Sequence, residues 1–309
     1  MELTREKILT PTLKTDIVFA VFGFILGVAP LVSGVLPFGC AFLCAVPKKR
    51  RKGALLGTIA SAFFDPCIPL ALFCALFLYF VLAAKEKNTT VYLFNRLLLS
   101  LSVSALRSAY IAMTGITDMD GVFRLLASVI AYPLFTYAFS GYFDKKKELH
   151  PKRYDISLLA FAFALTLLLS PIKVYSVPLS FLLGAVFTLC AARTRGFGFG
   201  GVCGVLCGLV SGGAATGALG VLGMTYGLLL SEVEPLALLL SFMLGVSGYF
   251  YLSGVDGTAV ATLMLALVYI GFIPLRKKLT VYRTAVASAE KRAHDRRISR
   301  YAAAFSSLS

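Results

Sequence analysis

The sequence alternates between long apolar runs and short polar breaks. The breaks hold most of the Lys, Arg, Pro and Gly residues, and the runs approach or exceed the length that a helix needs to cross a bilayer. The runs cover residues 17–46, 53–84, 91–113, 121–142, 156–170, 175–192, 198–213, 214–231, 236–252 and 258–275. We interpret 53–84 as two short spans, because Asp65 and Pro66 interrupt it. The pattern predicts an all-α integral membrane protein, a polytopic helical bundle of about ten transmembrane helices with a C-terminal cytoplasmic helix.

The run at residues 17–46 does not fit a simple span. It has about 30 residues, too many for one straight crossing and few for two at about 1.5 Å per residue. Because basic residues flank it on both sides, we expect a short re-entrant hairpin bent at Pro30 and Pro37. The alternatives are that residues 17–46 cross the membrane once or twice. The predicted organisation is therefore a cytoplasmic N-terminus (1–16), a transmembrane domain (17–275) and a cytoplasmic helical tail (276–309).

Composition and charge agree with a location in a bilayer. Hydrophobic residues make up 58% of the chain and charged residues 15%, and the mean hydropathy is +0.84. The net charge of +15 suggests either a nucleic-acid partner or basic cytoplasmic loops. We place both termini in the cytoplasm with the breaks at 47–52, 85–87, 143–155, 193–195 and 276–278. Of the 30 basic residues, those that then lie elsewhere are Arg96, Arg107, Arg124 and Lys173.

That distribution follows the positive-inside rule, so the expected partner is the lipid bilayer and no nucleic acid is expected.

A glycine-rich stretch begins at residue 196. Two series of glycines lie at four-residue intervals: Gly196, Gly200, Gly204, Gly208 and Gly212, then Gly213 and Gly217. On a helix this spacing makes a strip without side chains, which lets another backbone approach closely. We interpret it as a helix-packing surface and expect self-association between copies. A G-x-G-x-x-G match in the same stretch lacks the preceding strand and the following acid of a dinucleotide site.

Ionisable residues within spans are the usual pointer to transport, because lipid tolerates them only when they are paired or hydrated. The candidate intramembrane polar sites are Asp65, Arg96, Arg107 and Arg124. Arg96 and Arg107 are eleven residues apart and share a helix face. We expect Arg107 and Arg124 to reach the interface and pair with Asp118 and Asp120, and Asp65 to lie in a turn.

Catalytic chemistry has little support. His150 and His294 lie in charged segments away from any cysteine cluster, and we interpret the neighbouring Cys203 and Cys207 as packing residues. No zinc-protease, Walker or nucleophile-elbow motif occurs. We therefore expect no catalytic residue, no metal and no cofactor in this chain.

The segment SGVLPFGCAFLCAVPKKRR (residues 33–51) resembles the stage II sporulation protein E family. Its members carry a Ser-Pro-Phe-Gly-x-Ala-Phe type motif that ends the first hydrophobic stretch before a basic loop. The matching positions here are Pro37, Phe38, Gly39, Ala41 and Phe42. The glycine-rich pair of spans (198–227), the number of spans and the tail RRISRYAAAFSSLS are similar too. In the tail, Tyr301, Phe305 and Leu308 match the family's first cytoplasmic helix.

This resemblance covers only the family's membrane region. It implies a multi-pass protein of the bacterial cytoplasmic membrane that lies at the polar septum during sporulation with cell-division proteins. Family members continue into a manganese-dependent serine/threonine phosphatase of the PP2C class, which activates a forespore-specific sigma factor. That domain is absent here, so manganese is expected only beyond Ser309, and whether the protein continues there is open.

Two functions remain in view from the sequence. The first is a membrane anchor, localisation and assembly module, whose tail presents Ile298, Tyr301, Phe305 and Leu308 as an apolar stripe to a partner helix. The alternative is a small secondary transporter or channel, with Asp65, Arg96 and Arg107 near a polar path.

Overall fold

The computed structural model describes residues 11–31, 35–85, 92–114, 119–143, 151–230, 234–255 and 257–275, together with Leu279. These residues are almost entirely helical, so the all-α class is confirmed. The chain divides into two compact units. Unit 1 comprises Met1–Lys145 and Arg153–Leu168, and unit 2 comprises Lys146–Lys152 and Leu169–Ser309.

Among the described residues, seven helices lie in or largely in unit 1. They are α1 (Pro11–Val28), α2 (Phe38–Ala45), α3 (Arg51–Ala62), α4 (Ile68–Lys85), α5 (Tyr92–Met113), α6 (Met119–Tyr142) and α7 (Pro151–Leu169). A 3₁₀ turn at Lys48–Arg50 joins α2 to α3. α1 begins at Pro11, earlier than the predicted boundary at residue 17.

The interrupted run at residues 17–46 forms one long and one short helix. Pro30 and Pro37 both lie in the break between α1 and α2, where proline removes backbone donors and ends a helix. All eight residues of α2 are buried, and at about 12 Å the helix is too short to cross a bilayer core of about 30 Å.

The contacts of unit 1 give its helices a direction. Gly53 and Gly57 of α3 pack on the backbones of Asp16 and Ala20 of α1, so these two helices run parallel. α2 returns between them, since its Gly39 lies against Gly27 near the end of α1. α5 and α6 are antiparallel, with the Ser104 hydroxyl donating to the carbonyl of Ser128 at 2.9 Å.

Unit 2 is built mainly of antiparallel helices. A small antiparallel hairpin of β1 (Lys173–Val174) and β2 (Val177–Pro178) precedes α8 (Ser180–Arg195), so the span predicted from residue 175 starts later than expected. There follow α9 (Phe197–Ser211), α10 (Gly213–Leu229), α11 (Glu234–Ser253) and α12 (Thr258–Leu275).

Among the described residues, three helices are long and apolar enough to cross a membrane, namely α6, α11 and α12. Four further apolar segments are shorter: residues 15–28, 68–83, 197–211 and 213–229.

Candidate functional site

The most enclosed ion pair of unit 1 joins Asp65 to Arg107. Arg107 donates from its two terminal nitrogens to the two carboxylate oxygens at 2.8 and 2.7 Å. The side chain of Asp65 is only 3% exposed and that of Arg107 only 12%. Asp65 also accepts the backbone N–H of Cys67 at 2.9 Å, which fixes the turn between α3 and α4. The pair therefore attaches that turn to the middle of α5.

Polar groups from several helices surround this ion pair. Cys40 of α2, Cys74 of α4 and Tyr132 of α6 lie near Arg107. A small open cavity, with room for about one water molecule, lies beside them. It is lined by Gly27, Leu36, Gly39, Cys40, Thr58, Ser61, Ala62, Asp65, Ala71 and Arg107.

The chain reverses direction twice beside this cavity. The break after α1 and the turn after α3 both lie here, because Gly27 packs on Ser61 and Leu36 shares the cavity with Asp65. α5 continues beyond Arg107 for six residues, about 9 Å, before it ends at Met113. The ion pair is thus inside the helical layer rather than at its edge.

Arg96 satisfies the carboxyl end of the short helix α2. It is 1% exposed, and its terminal nitrogens donate to the carbonyl oxygens of Ala45 and, at 3.0 Å, of Val46. Arg51 is equally buried and donates to Val46 at 3.4 Å. The last carbonyls of a helix have no partner within it, so a buried helix end requires such donors. The two guanidinium groups also lie where the helix dipole favours positive charge.

The expected pairing of the arginines near the outer turn is half right. Arg124 does pair with Asp120, at 2.5 Å, and both side chains are more than 40% exposed. The prediction was wrong for Arg107, which pairs with Asp65, and Asp118 lies outside the described residues. No local spacing indicates this partner, because Asp65 is 42 residues away, in the turn between α3 and α4.

In unit 2, the glycine strip serves contacts within the chain. A methyl group added at Gly200 would lie 2.9 Å from the carbonyl oxygen of Gly223, and one at Gly208 would lie 2.8 Å from that of Ala215. Gly204 similarly meets the backbone at Leu219 and Gly220. Three turns of α9 are therefore pressed against the backbone of α10.

The strip is interrupted at both ends. Gly196 and Gly212 are helix boundaries with φ of +88° and +111°, conformations that glycine adopts readily. No atom lies within 4 Å of a methyl group added at Gly196, Gly212 or Gly213, and Gly217 contacts the Leu252 side chain of α11. The prediction of one packing strip from Gly196 to Gly212 was wrong at its two ends, because the chain reverses direction at each of these two glycines.

Two features of these regions were not predicted from the sequence. Arg193, 7% exposed, pairs with Glu234 at 2.8 Å and so ties the end of α8 to the start of α11. The α1–α3 contact uses Gly23, Gly27, Gly53, Gly57 and Ser61. The second had a signal, since these small residues also recur every four positions.

The described residues contain no group of side chains suited to bind a metal ion. Within them, no three His, Cys, Asp or Glu side chains are grouped so that they could hold a metal ion, and all seven cysteines are free thiols. His150, His294 and the tail stripe of Ile298, Tyr301, Phe305 and Leu308 lie outside the described part.

Comparison with known proteins gives no relative. No family model, no curated protein and no solved structure matches the chain.

Proposed function

We propose that this chain is a polytopic membrane anchor and assembly module. The observation that carries the proposal is the apolar exterior of the helices. Large hydrophobic side chains are more than half exposed on many helices, such as Leu56, Phe80, Phe94, Leu239 and Leu263. A water-soluble protein rarely exposes apolar surface on this scale. Lipid would cover these faces, with α6, α11 and α12 as the clearest spans.

The charges of unit 1 support an orientation. We call one end of unit 1 the basic end, and it lies around the α2–α3 connection. It contains Lys48, Lys49, Arg50, Arg51, Lys52, Arg96 and Arg153. Away from that end, Arg107 and Arg124 are each paired with an aspartate, Arg107 inside the helical layer and Arg124 at the exposed outer turn. By the positive-inside rule the basic end faces the cytoplasm, and about ten crossings with both termini inside remain our proposal.

An anchor should hold its shape, and the internal contacts favour that role. The buried arginines bind carbonyls or carboxylates of the same unit, and the glycine contacts of α9 bring two backbones together. Such contacts fix helices in place. Tethering an effector to a rigid membrane bundle raises its effective concentration near membrane-bound partners.

By resemblance, we propose that the effector is a PP2C-type phosphatase of the stage II sporulation protein E family. The membrane region would then hold it at the polar septum, near cell-division proteins, with manganese bound only in the phosphatase. The motif Pro37, Phe38 and Gly39 that suggested the family forms the start of the buried helix α2.

Two observations test the anchor. A fluorescent fusion of the chain should sediment with membranes, resist alkaline carbonate extraction and concentrate at the sporulation septum. The reading frame after Ser309 should encode a PP2C-like domain. Uniform distribution around the cell, with no such domain downstream, would contradict the sporulation role.

A transporter is the second candidate, and a specific observation favours it. The cavity beside Asp65 and Arg107 lies where two chain segments reverse within the helical layer, as in transporters with discontinuous helices. Purified protein in liposomes should then carry a solute or ion, and Asp65→Asn should abolish the flux while Asp120→Asn preserves it. Absence of flux across a panel of ions and small solutes would leave the anchor as the account.

A further inference from the structure

Three lysines at the α2–α3 connection form a charged surface, which so far has served only to orient the anchor. Lys48, Lys49 and Lys52 are exposed, and we call them the lysine patch. Their neighbours point inward: Arg50 lies over the ring of Phe19 at 5.3 Å, and Arg51 is buried against Val46. Within the described residues, no carboxylate forms an ion pair with any of the three lysines.

The lysine patch is next to apolar surface. Lys52 and Leu56 are one helical turn apart on α3, and Leu56 is 64% exposed. Farther along, Phe63 is also 64% exposed. The Cα atom of Lys52 therefore lies about 6 Å along the helix axis from that of Leu56, where the exposed apolar surface begins. With that apolar surface in the acyl region of a bilayer, the lysine patch would lie toward the headgroups.

The backbone that presents these lysines is ordered by internal contacts. The 3₁₀ turn is closed by the N–H of Arg50 donating to the carbonyl of Pro47 at 2.9 Å. Gly53, directly after Lys52, packs on the backbone of α1. Three positive charges are thus held together, and no carboxylate of the described residues pairs with them.

We propose that the lysine patch binds the phosphate groups of anionic phospholipids and selects them over zwitterionic ones. This inference rests on the proposed membrane location. Each lysine near an anionic surface favours binding by about five-fold, whereas a zwitterionic headgroup offers no net charge. The patch would make the cytoplasmic leaflet around unit 1 rich in anionic lipid.

The absence of tryptophan from the chain allows a direct test. Leu56→Trp places one fluorophore beside the lysine patch, and Met243→Trp places a control in the middle of α11, 57% exposed. Each protein is reconstituted in vesicles of mixed phosphatidylglycerol and phosphatidylcholine, with either lipid brominated in turn. Quenching then reports which lipid contacts the tryptophan.

We expect quenching at Leu56→Trp to favour phosphatidylglycerol at least five-fold, and quenching at Met243→Trp to show no preference. Adding Lys48→Ala, Lys49→Ala and Lys52→Ala should remove the preference, whereas adding Lys173→Ala should preserve it. Equal quenching by the two lipids at Leu56→Trp, or a preference that survives the triple change, would overturn the inference.

Two further outcomes are informative. Loss of the preference when inorganic phosphate replaces chloride at constant ionic strength would overturn the lipid assignment and point to a free-phosphate site. A protein that cannot be reconstituted in vesicles would instead contradict the membrane location itself, so the two failures are distinguishable.

Discussion

Asp65 and Arg107 show how burial changes the value of an ion pair. The same two residue types pair at Asp120 and Arg124, but there both side chains are exposed, and such pairs contribute about 0.2–1 kcal/mol. Removing one partner of a buried pair leaves an uncompensated charge, which costs about 3–5 kcal/mol. The two aspartates therefore make a matched comparison.

We expect Asp65→Asn to lower the free energy of unfolding by about 3–5 kcal/mol, because the guanidinium of Arg107 loses its counter-charge. Asp120→Asn should cost less than about 1 kcal/mol. Denaturant titration of the purified protein in mild detergent, followed by circular dichroism, measures both. Adding Arg107→Met to Asp65→Asn should recover most of the loss, and equal costs for the two aspartates would refute the buried pairing.

Arg96 is predicted to hold α2 in place. Without it the carbonyl of Ala45 loses its arginine donor, at about 1–3 kcal/mol if it is left unsatisfied, and the carbonyl of Val46 keeps only the longer bond from Arg51. In a variant whose sole cysteine is Cys44, which is fully buried, Arg96→Ala should make the thiol react with maleimide. Arg124→Ala should leave it protected. A Cys44 that stays unreactive in both variants would show that α2 does not depend on Arg96.

The partners of individual side chains could be predicted only in part from the sequence. Arg124 and Asp120 are four residues apart on one helix, so their pairing follows from helix geometry. The pairing of Arg107 with Asp65 depends on how three helices pack, and no local spacing encodes that. Arg96 was recognised as an intramembrane charge, but its partners are backbone carbonyls, which carry no sequence signal.

The α9–α10 hairpin depends on glycines that leave room for a second backbone. We expect Gly204→Ala to destabilise the protein by about 1–3 kcal/mol, because the new methyl group meets the backbone at Leu219 and Gly220. Thermal unfolding in detergent measures the change.

Gly198 on the same helix is the control. A methyl group there has no neighbour within 4 Å, so Gly198→Ala should be neutral or stabilise by about 0.5–1 kcal/mol through better helix propensity. Equal unfolding temperatures for the two alanine variants would contradict the close contact between α9 and α10.

Helices were predictable where the apolar pattern was long and uninterrupted. α5, α6, α11 and α12 lie close to their predicted runs, and the break at Asp65 and Pro66 falls between α3 and α4. Turns within glycine-rich sequence were harder. Gly196 and Gly212 continue the four-residue spacing, yet both adopt positive φ and end helices, so spacing alone could not separate packing glycines from turning ones.

For the whole molecule, the distribution of basic residues gave more information than any motif. It predicts which breaks share a side of the membrane, and this orientation stays a prediction. In unit 1, Arg96 near the start of α5 contacts the end of α2, beside the α2–α3 connection. In unit 2, Arg193 of α8 lies beside Glu234 of α11. The number of crossings stays a prediction, since α2 and α3 are too short to span a bilayer alone.

The central claim is a multi-pass protein with the basic end of unit 1 in the cytoplasm. Single cysteines introduced into a cysteine-free variant, at Lys49 in the basic end and at Thr114 beyond the opposite end of α5, test it most directly. Tyr175, 89% exposed in the β-hairpin, provides the corresponding position for unit 2. A membrane-impermeant maleimide applied to intact cells should label Thr114→Cys and Tyr175→Cys and spare Lys49→Cys until the cells are opened. Labelling of Lys49→Cys in intact cells, or protection of all three, would contradict the account.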